Sequence, residues 1–203
     1  MITKTDFMAY LDAPKHLWAI KNNQIQVKAL DDFLKHLFEQ GYQVEEYAIK
    51  YIKEILIPEY NVKKEDVFFQ MKCVDGNFEA RTDLLIKNKN KWDLYEIKSS
   101  TDVKKEHKYD VTFQTLVFEK KYEIANVYVL HLNKKYMRKG PLDLKNLFTK
   151  AFLTDTVDKL KEEVRILREE AFATIQIQNH RQVKGCQKPK DCPCLHLCHS
   201  NIP

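Results

Sequence analysis

The segment from Val67 to Lys98 constrains this chain most. Three apolar, β-rich runs, Val67 to Val74, Phe78 to Ile86 and Lys91 to Lys98, are separated only by Asp75-Gly76-Asn77 and Asn88-Lys89-Asn90. Both connectors suit hairpins, because Asn, Asp and Gly accept the backbone conformations that tight turns demand. Strands joined so closely form an antiparallel meander, and the remainder of the chain must cover it.

The expected cover is helical. Thr3 or Thr5 can cap a first amphipathic helix carrying Phe7, Leu11 and, past Pro14, Leu17 and Trp18. Residues 29–39 repeat Leu30, Phe33, Leu34, Leu37 and Phe38 at helical spacing, with Gly41 as the expected stop. Another helix is expected from about Gln43 to Leu56, ending before Pro58. After the meander come a helix from about Val111 to Tyr122, a buried strand over Asn126–Leu132 and a long helix from about Thr154 to Gln178. The order predicts an α/β fold with a central sheet flanked by helices.

The net charge of +5 suits a polyanionic partner without demanding one. The surplus gathers at Lys87, Lys89 and Lys91, at Lys134, Lys135, Arg138 and Lys139, and at Lys184, Lys188 and Lys190. Read alone, such clusters are solvated faces. No apolar run approaches the roughly 20 residues a membrane helix needs, and the N-terminal segment carries no signal-peptide core. The expectation is a cytoplasmic protein with no membrane association. Cys73, alone in an apolar strand, reads as a small core residue.

The chemistry concentrates in the meander. Side chains alternate along a strand, so Glu96 and Lys98 emerge on one face with Ile97 on the other. Asp83, set among apolar neighbours on the preceding strand, can reach the same region. Two carboxylates there can bind Mg²⁺ or Mn²⁺ through oxygen. The adjacent lysine can orient or deprotonate an attacking water. Glu-x-Lys by itself is a weak signal, since any exposed strand can alternate charge.

With Asp83 and Glu96-Ile97-Lys98 in this order, the chain resembles the PD-(D/E)xK nuclease superfamily, specifically the RecB-like branch that includes the CRISPR-adaptation iron–sulfur exonucleases. Gly41-Tyr42-Gln43-Val44-Glu45 is similar to that branch's first motif, and Gln114-Thr115-Leu116-Val117-Phe118 to its Gln-x-x-x-Tyr motif with Phe in the last place. The resemblance implies a restriction-endonuclease-like core. It implies Asp83 and Glu96 as metal ligands with the Ile97 carbonyl, Glu45 completing the metal site, Lys98 positioning water and Gln114 steadying the site or the DNA strand. Glu45 and its neighbour Glu46 can equally belong to a solvated helix face, Gln114 can be a helix-surface amide, and Phe118 ordinary core. His107 and Tyr109 lie near the site in sequence and receive no catalytic role.

Cys186, Cys192, Cys194 and Cys198 crowd into the C-terminal segment. In a reducing compartment this suggests a metal site rather than disulfides. The resemblance implies a [4Fe-4S] cluster held by three such cysteines and one near the N-terminus, but Ala13 stands where that N-terminal cysteine is expected. Either Cys194 supplies the fourth thiolate, or a histidine completes a zinc site, or the cysteines are reduced thiols in a loose tail. The expected division is a nuclease domain over 1–180 and a cysteine-rich cap over 181–203. The expected function is a metal-dependent DNA nuclease acting on single strands or ends, and the expected partners are DNA and a protein of a DNA-processing complex. The alternative is a catalytically weak nuclease-fold module that binds nucleic acid or a partner protein.

Overall fold

The computed structural model of the chain describes residues 1–25, 32–185 and 194–198, with the backbone alone for 32–40. The meander forms as expected: β2 (Val67–Asp75), β3 (Phe78–Asn88) and β4 (Lys91–Lys98). Strand β5 (Ile124–Leu132) lies parallel to β4, and β6 (Phe148–Phe152) pairs antiparallel to β5 at the edge. A two-residue strand β1 (Ile2–Thr3) runs parallel to β3, completing a mixed six-stranded sheet.

Helices cover both faces. On one side α1 (Lys4–Asp12), α5 (Lys105–Phe118) and α7 (Thr154–Thr174) close over Leu85, Leu94, Val127 and Val129, with Phe7 stacked on Phe113 at 4.9 Å between ring centres. On the other side, α3 (Asp32–Tyr51) and the turns after it bury Leu84, Ile86, Tyr95 and Leu130. The alternation Leu84/Leu85/Ile86 thus feeds two cores from one strand. Each fully buried Leu, Ile or Phe contributes about 1.5–3 kcal/mol of apolar transfer free energy. A short helix α2 (Pro14–Lys21) follows α1.

Several helix boundaries differ from the sequence expectation. Gly41 does not stop the second helix, and α3 runs through it as one element. A glycine inside a helix costs only about 1 kcal/mol, which the buried contacts of Ala48 and Tyr51 offset. Pro58 does not end the helical path either. Residues Ile52–Leu56 widen into a π-helical turn, and Pro58 then sits in the first turn of α4 (Ile57–Tyr60). There its missing N–H is not required. The α5 helix begins earlier than expected and ends at Phe118.

Within β4, Asp93 is 1% exposed and accepts hydrogen bonds from Tyr60 (2.6 Å), Asn126 (2.8 Å) and Asn88. This carboxylate is satisfied by neutral donors and braces the sheet away from the site. At the far end, residues 194–198 include α8 (Leu195–Cys198), and Cys194 is buried with Trp18, Ala19 and Val183. Among the described residues no helix is long and apolar enough to cross a membrane.

Candidate active site

The site arises from how β3 shares one edge. Strand β2 pairs with β3 from Phe78 to Ile86 and takes one side. On the other side β1 pairs at Phe78 and Glu79, and β4 pairs from Leu84 to Asn88. Because β1 is parallel and β4 antiparallel to β3, the two run head-on toward each other. Residues 80–83 lie in the gap between their ends.

Side chains complete what the ladder leaves open there. Thr82 Oγ1 donates to the Tyr95 carbonyl at 3.0 Å, and Asp83 Oδ2 accepts from the Ile97 N–H at 2.7 Å. A strand residue presents its N–H and C=O on the same side, so the Ile97 carbonyl also faces the gap. Asp83, Glu96 and Lys98 share the parity of Leu85 and Leu94 and project toward α1 and α5.

Glu96 is the hub of a charged cluster. Its Oε1 accepts from Lys4 Nζ at 2.7 Å and Lys98 Nζ at 2.8 Å, and its Oε2 from Gln114 Nε2 at 2.9 Å. Lys98 also reaches Asp110 at 2.5 Å, and Gln114 Nε2 donates to Asp110 at 2.9 Å. With carboxylates on both contacts, the nitrogen of Gln114 must face them. Its Oε1 is then buried with no partner among the described residues, a cost tolerated in the middle of the cluster.

Burial opposes the charge on Lys98, but Glu96 and Asp110 outweigh it and hold the ammonium above its ordinary pKa; the same balance raises Lys4. Held between two carboxylates, the Lys98 ammonium is placed to orient an oxygen or stabilise negative charge. His107 is lowered, first by burial and then by the Lys98 charge. Its ring accepts from the Lys104 N–H, and Tyr109 donates to Glu163 at 2.7 Å, so both serve the helix and its packing.

The sequence-designated residues therefore meet in space. Asp83, Glu96, Ile97, Lys98 and Glu45 line one cleft of about 400 Å³. Glu45 is half-buried on its wall, reached from the α3 side, and among the described residues no hydrogen bond joins it to Asp83 or Glu96. Phe118 is fully buried core. Cys186 and Cys192 lie outside the described residues, while Cys198 is half-buried with its sulfur near Gly185.

Three site residues carry no sequence signal read above. Lys4 reaches Glu96 across 92 positions of chain. Gln70 donates to Asp83 Oδ1 at 2.9 Å from a left-handed conformation, φ 51°, where its strand skips a pairing opposite Asp83. Asp110 precedes Gln114 by four residues, a helical spacing that puts both on one face and offered a clue.

Among the described residues no three His, Cys, Asp or Glu side chains gather into a complete metal site. Asp83 and Glu96 supply two carboxylates, and the Ile97 carbonyl facing the same gap supplies a third oxygen. That all-oxygen set fits a hard divalent cation such as Mg²⁺ or Mn²⁺.

Compared with solved structures, the chain matches an alkaline exonuclease (LHK-Exo) from Laribacter hongkongensis with a TM-score of 0.51. The match covers 86% of this chain and 89% of that one at 13% identity. The two share a fold. That fold is nuclease-like: a central mixed sheet flanked by helices. A further structure, SSO0001, aligns over 100% of this chain and 87% of its own at 16% identity and a TM-score of 0.47. No family model and no curated protein sequence match.

Proposed function

We propose that this chain is a metal-dependent DNA nuclease of the PD-(D/E)xK type, in the RecB-like branch, hydrolysing phosphodiester bonds in single strands or at DNA ends. The observation that carries the reading is the convergence of Asp83, Glu96, the Ile97 carbonyl and Lys98 on one cleft where β1 and β4 meet. The shared fold with an alkaline exonuclease supports it.

In this reading Asp83, Glu96 and Ile97 hold Mg²⁺ or Mn²⁺, with Glu45 on the cleft wall as an added carboxylate. The bound ion would supply Lewis-acid stabilisation of charge on the phosphate. Lys98 holds the attacking water in line with phosphorus, and its fixed charge offsets the negative charge that builds on the phosphate oxygens beside it. The water gives a proton to solvent as its oxygen bonds to phosphorus, and the leaving sugar oxygen on the opposite side takes one from solvent as its bond breaks. Gln114 holds the Glu96 carboxylate and Asp110 holds Lys98, so both act by positioning. Gln70 and the Ile97 N–H fix the two oxygens of Asp83.

The test is cleavage of end-labelled single-stranded and duplex DNA in Mn²⁺, Mg²⁺ or EDTA beside Lys98→Ala. Metal-dependent cleavage lost in the variant supports the mechanism; full cleavage by a clean variant refutes it. The occupation of Glu96 by two ammonium groups favours a second reading, a catalytically weak module that grips nucleic acid or a protein partner. A folded wild-type protein that binds DNA and never cleaves it would select that reading.

For the C-terminal segment the proposal is a cap over 181–203, packed on the same domain and carrying a [4Fe-4S] cluster on Cys186, Cys192, Cys194 and Cys198, with zinc as the alternative. The burial of Cys194 against Trp18 supports a cap that packs on the domain.

A further inference from the structure

Two depressions continue from the catalytic cleft along one face. The first, about 440 Å³, shares Gly41, Val44 and Ser99 with the cleft. Apart from the exposed Gln43 at its rim, its other walls are Tyr47, Leu132, Leu142 and Leu147, all half-buried. The second, about 360 Å³, lies over the loop from Asn133 to Asp143 and is lined by Lys135, Tyr136 and Lys139. Consecutive residues join the two, Leu132 to Asn133 and Leu142 to Asp143.

The loop is built rather than merely charged. Asn133 Nδ2 donates to the Asn146 carbonyl at 2.9 Å, the Lys135 N–H donates to Asn133 Oδ1 at 2.9 Å, and the Asp143 N–H donates to the Tyr136 hydroxyl at 3.1 Å. Arg138 Nε closes on the Gly140 carbonyl at 3.0 Å, and Gly140 supplies the positive φ that this turn requires.

Residues 133–146 contain five basic side chains and one acid, a local surplus of +4 in a chain whose total is +5. The acid, Asp143, is engaged in capping α6 (Leu144–Leu147). Lys134 lies 3.6 Å from Asp102, whereas Lys135, Arg138 and Lys139 form no salt bridge among the described residues. A hydrogen-bonded platform whose cations form no salt bridge among the described residues, beside a largely apolar pocket, matches a strand whose phosphates and bases are presented separately. That is the chemistry of an unstacked single strand.

We propose that this face binds single-stranded nucleic acid on one side of the scissile phosphate. The base nearest the cleft enters the pocket floored by Leu132, Leu142 and Leu147, and the following phosphates lie against Lys135, Arg138 and Lys139. The path rests on the nuclease reading for its starting point at Asp83 and Glu96. A paired duplex cannot place a base in the pocket, so the face discriminates against it.

The experiment is fluorescence anisotropy of a labelled oligothymidylate and a matched duplex in EDTA, with the full chain, across a salt series. Lys135→Glu/Lys139→Glu is expected to weaken single-strand binding by tenfold or more. It should also lower the slope of log affinity against log salt by about 1.4, two phosphate contacts at about 0.7 each. Leu142→Ser is expected to weaken single-strand binding several-fold while leaving that slope unchanged. Melting temperatures of both variants check that they fold. Unchanged single-strand affinity and slope in the folded lysine variant would overturn the path, and equal losses for duplex and single strand would overturn the base pocket. Because binding is read in EDTA, absence of cleavage by the wild type would count against the nuclease reading alone.

Discussion

Lys4→Met tests Lys4 as the internal counter-ion of the buried Glu96 carboxylate. Lys4 Nζ lies 2.7 Å from Glu96 Oε1 and 3.8 Å from Asp110, and its side chain is 26% exposed against 3% for Glu96. Breaking a fully buried pair costs about 3–5 kcal/mol, and an exposed one about 0–1. This pair lies between, and Lys98 still serves Glu96, so about 2 kcal/mol is expected without metal. For a domain of this size that lowers the melting temperature by about 4–8 °C. Metal affinity should move the other way. A divalent ion and an ammonium about 5 Å apart repel by about 1.7 kcal/mol even with the screening of bulk water, more than tenfold in affinity. The assay is thermal unfolding in EDTA and across a Mn²⁺ titration, with calorimetry for the dissociation constant. The variant should melt lower in EDTA yet gain more from Mn²⁺ than the wild type. An unchanged melting temperature in EDTA together with unchanged Mn²⁺ affinity would refute the assignment of Lys4 as the internal counter-ion of Glu96.

Other outcomes follow from neighbouring residues. Gln70→Ala and Gln70→Gly both remove the hydrogen bond to Asp83 and should each lower cleavage by about tenfold, about 1.4 kcal/mol. Glycine relieves the left-handed strain at a cost of about 1–2 kcal/mol in any other residue, so it should unfold later than alanine; equal melting would deny the strain. Asp6 caps α1 through Thr3 and pairs with Lys21. Burial raises its pKa, but Lys21 and Thr3 outweigh that and bring it below 3.8. Its contribution is therefore present above the unfolded value near 3.8 and is lost as pH falls through the folded one, and Asp6→Asn should flatten the acid limb of a pH–stability curve. Anaerobically purified protein should be brown, absorbing near about 400 nm, if the cap holds iron–sulfur; colourless protein containing zinc would select the alternative.

The meander and the Asp83, Glu96 and Lys98 set were legible because local rules govern them. Asp-Gly-Asn and Asn-Lys-Asn mark hairpins, and alternation along a strand decides which side chains share a face. Helix ends were less legible. Gly41 and Pro58 are strong local stops, yet tertiary burial around Ala48 and a π-helical turn carry the chain past both. The short strands Ile2–Thr3 and Phe148–Phe152 hold too few residues to show a period. Lys4 and Gln70 could not be found by pattern, since one depends on the placement of β1 and the other on a skipped pairing in β2.

The shared edge of β3 works as a ruler. The interval from Glu79, where β1 lets go, to Leu84, where β4 takes hold, sets how far apart Lys4 and Glu96 arrive. One residue inserted between Ala80 and Asp83 would lengthen that interval by about 3.3 Å and, with Asp83 still held to β4 through Leu84, turn Ala80 and the residues before it to the opposite face. The same insertion in the turn after Asn88 would alter neither. Changes of length can therefore accumulate at the hairpin tips, whereas this short stretch can vary only by substitution.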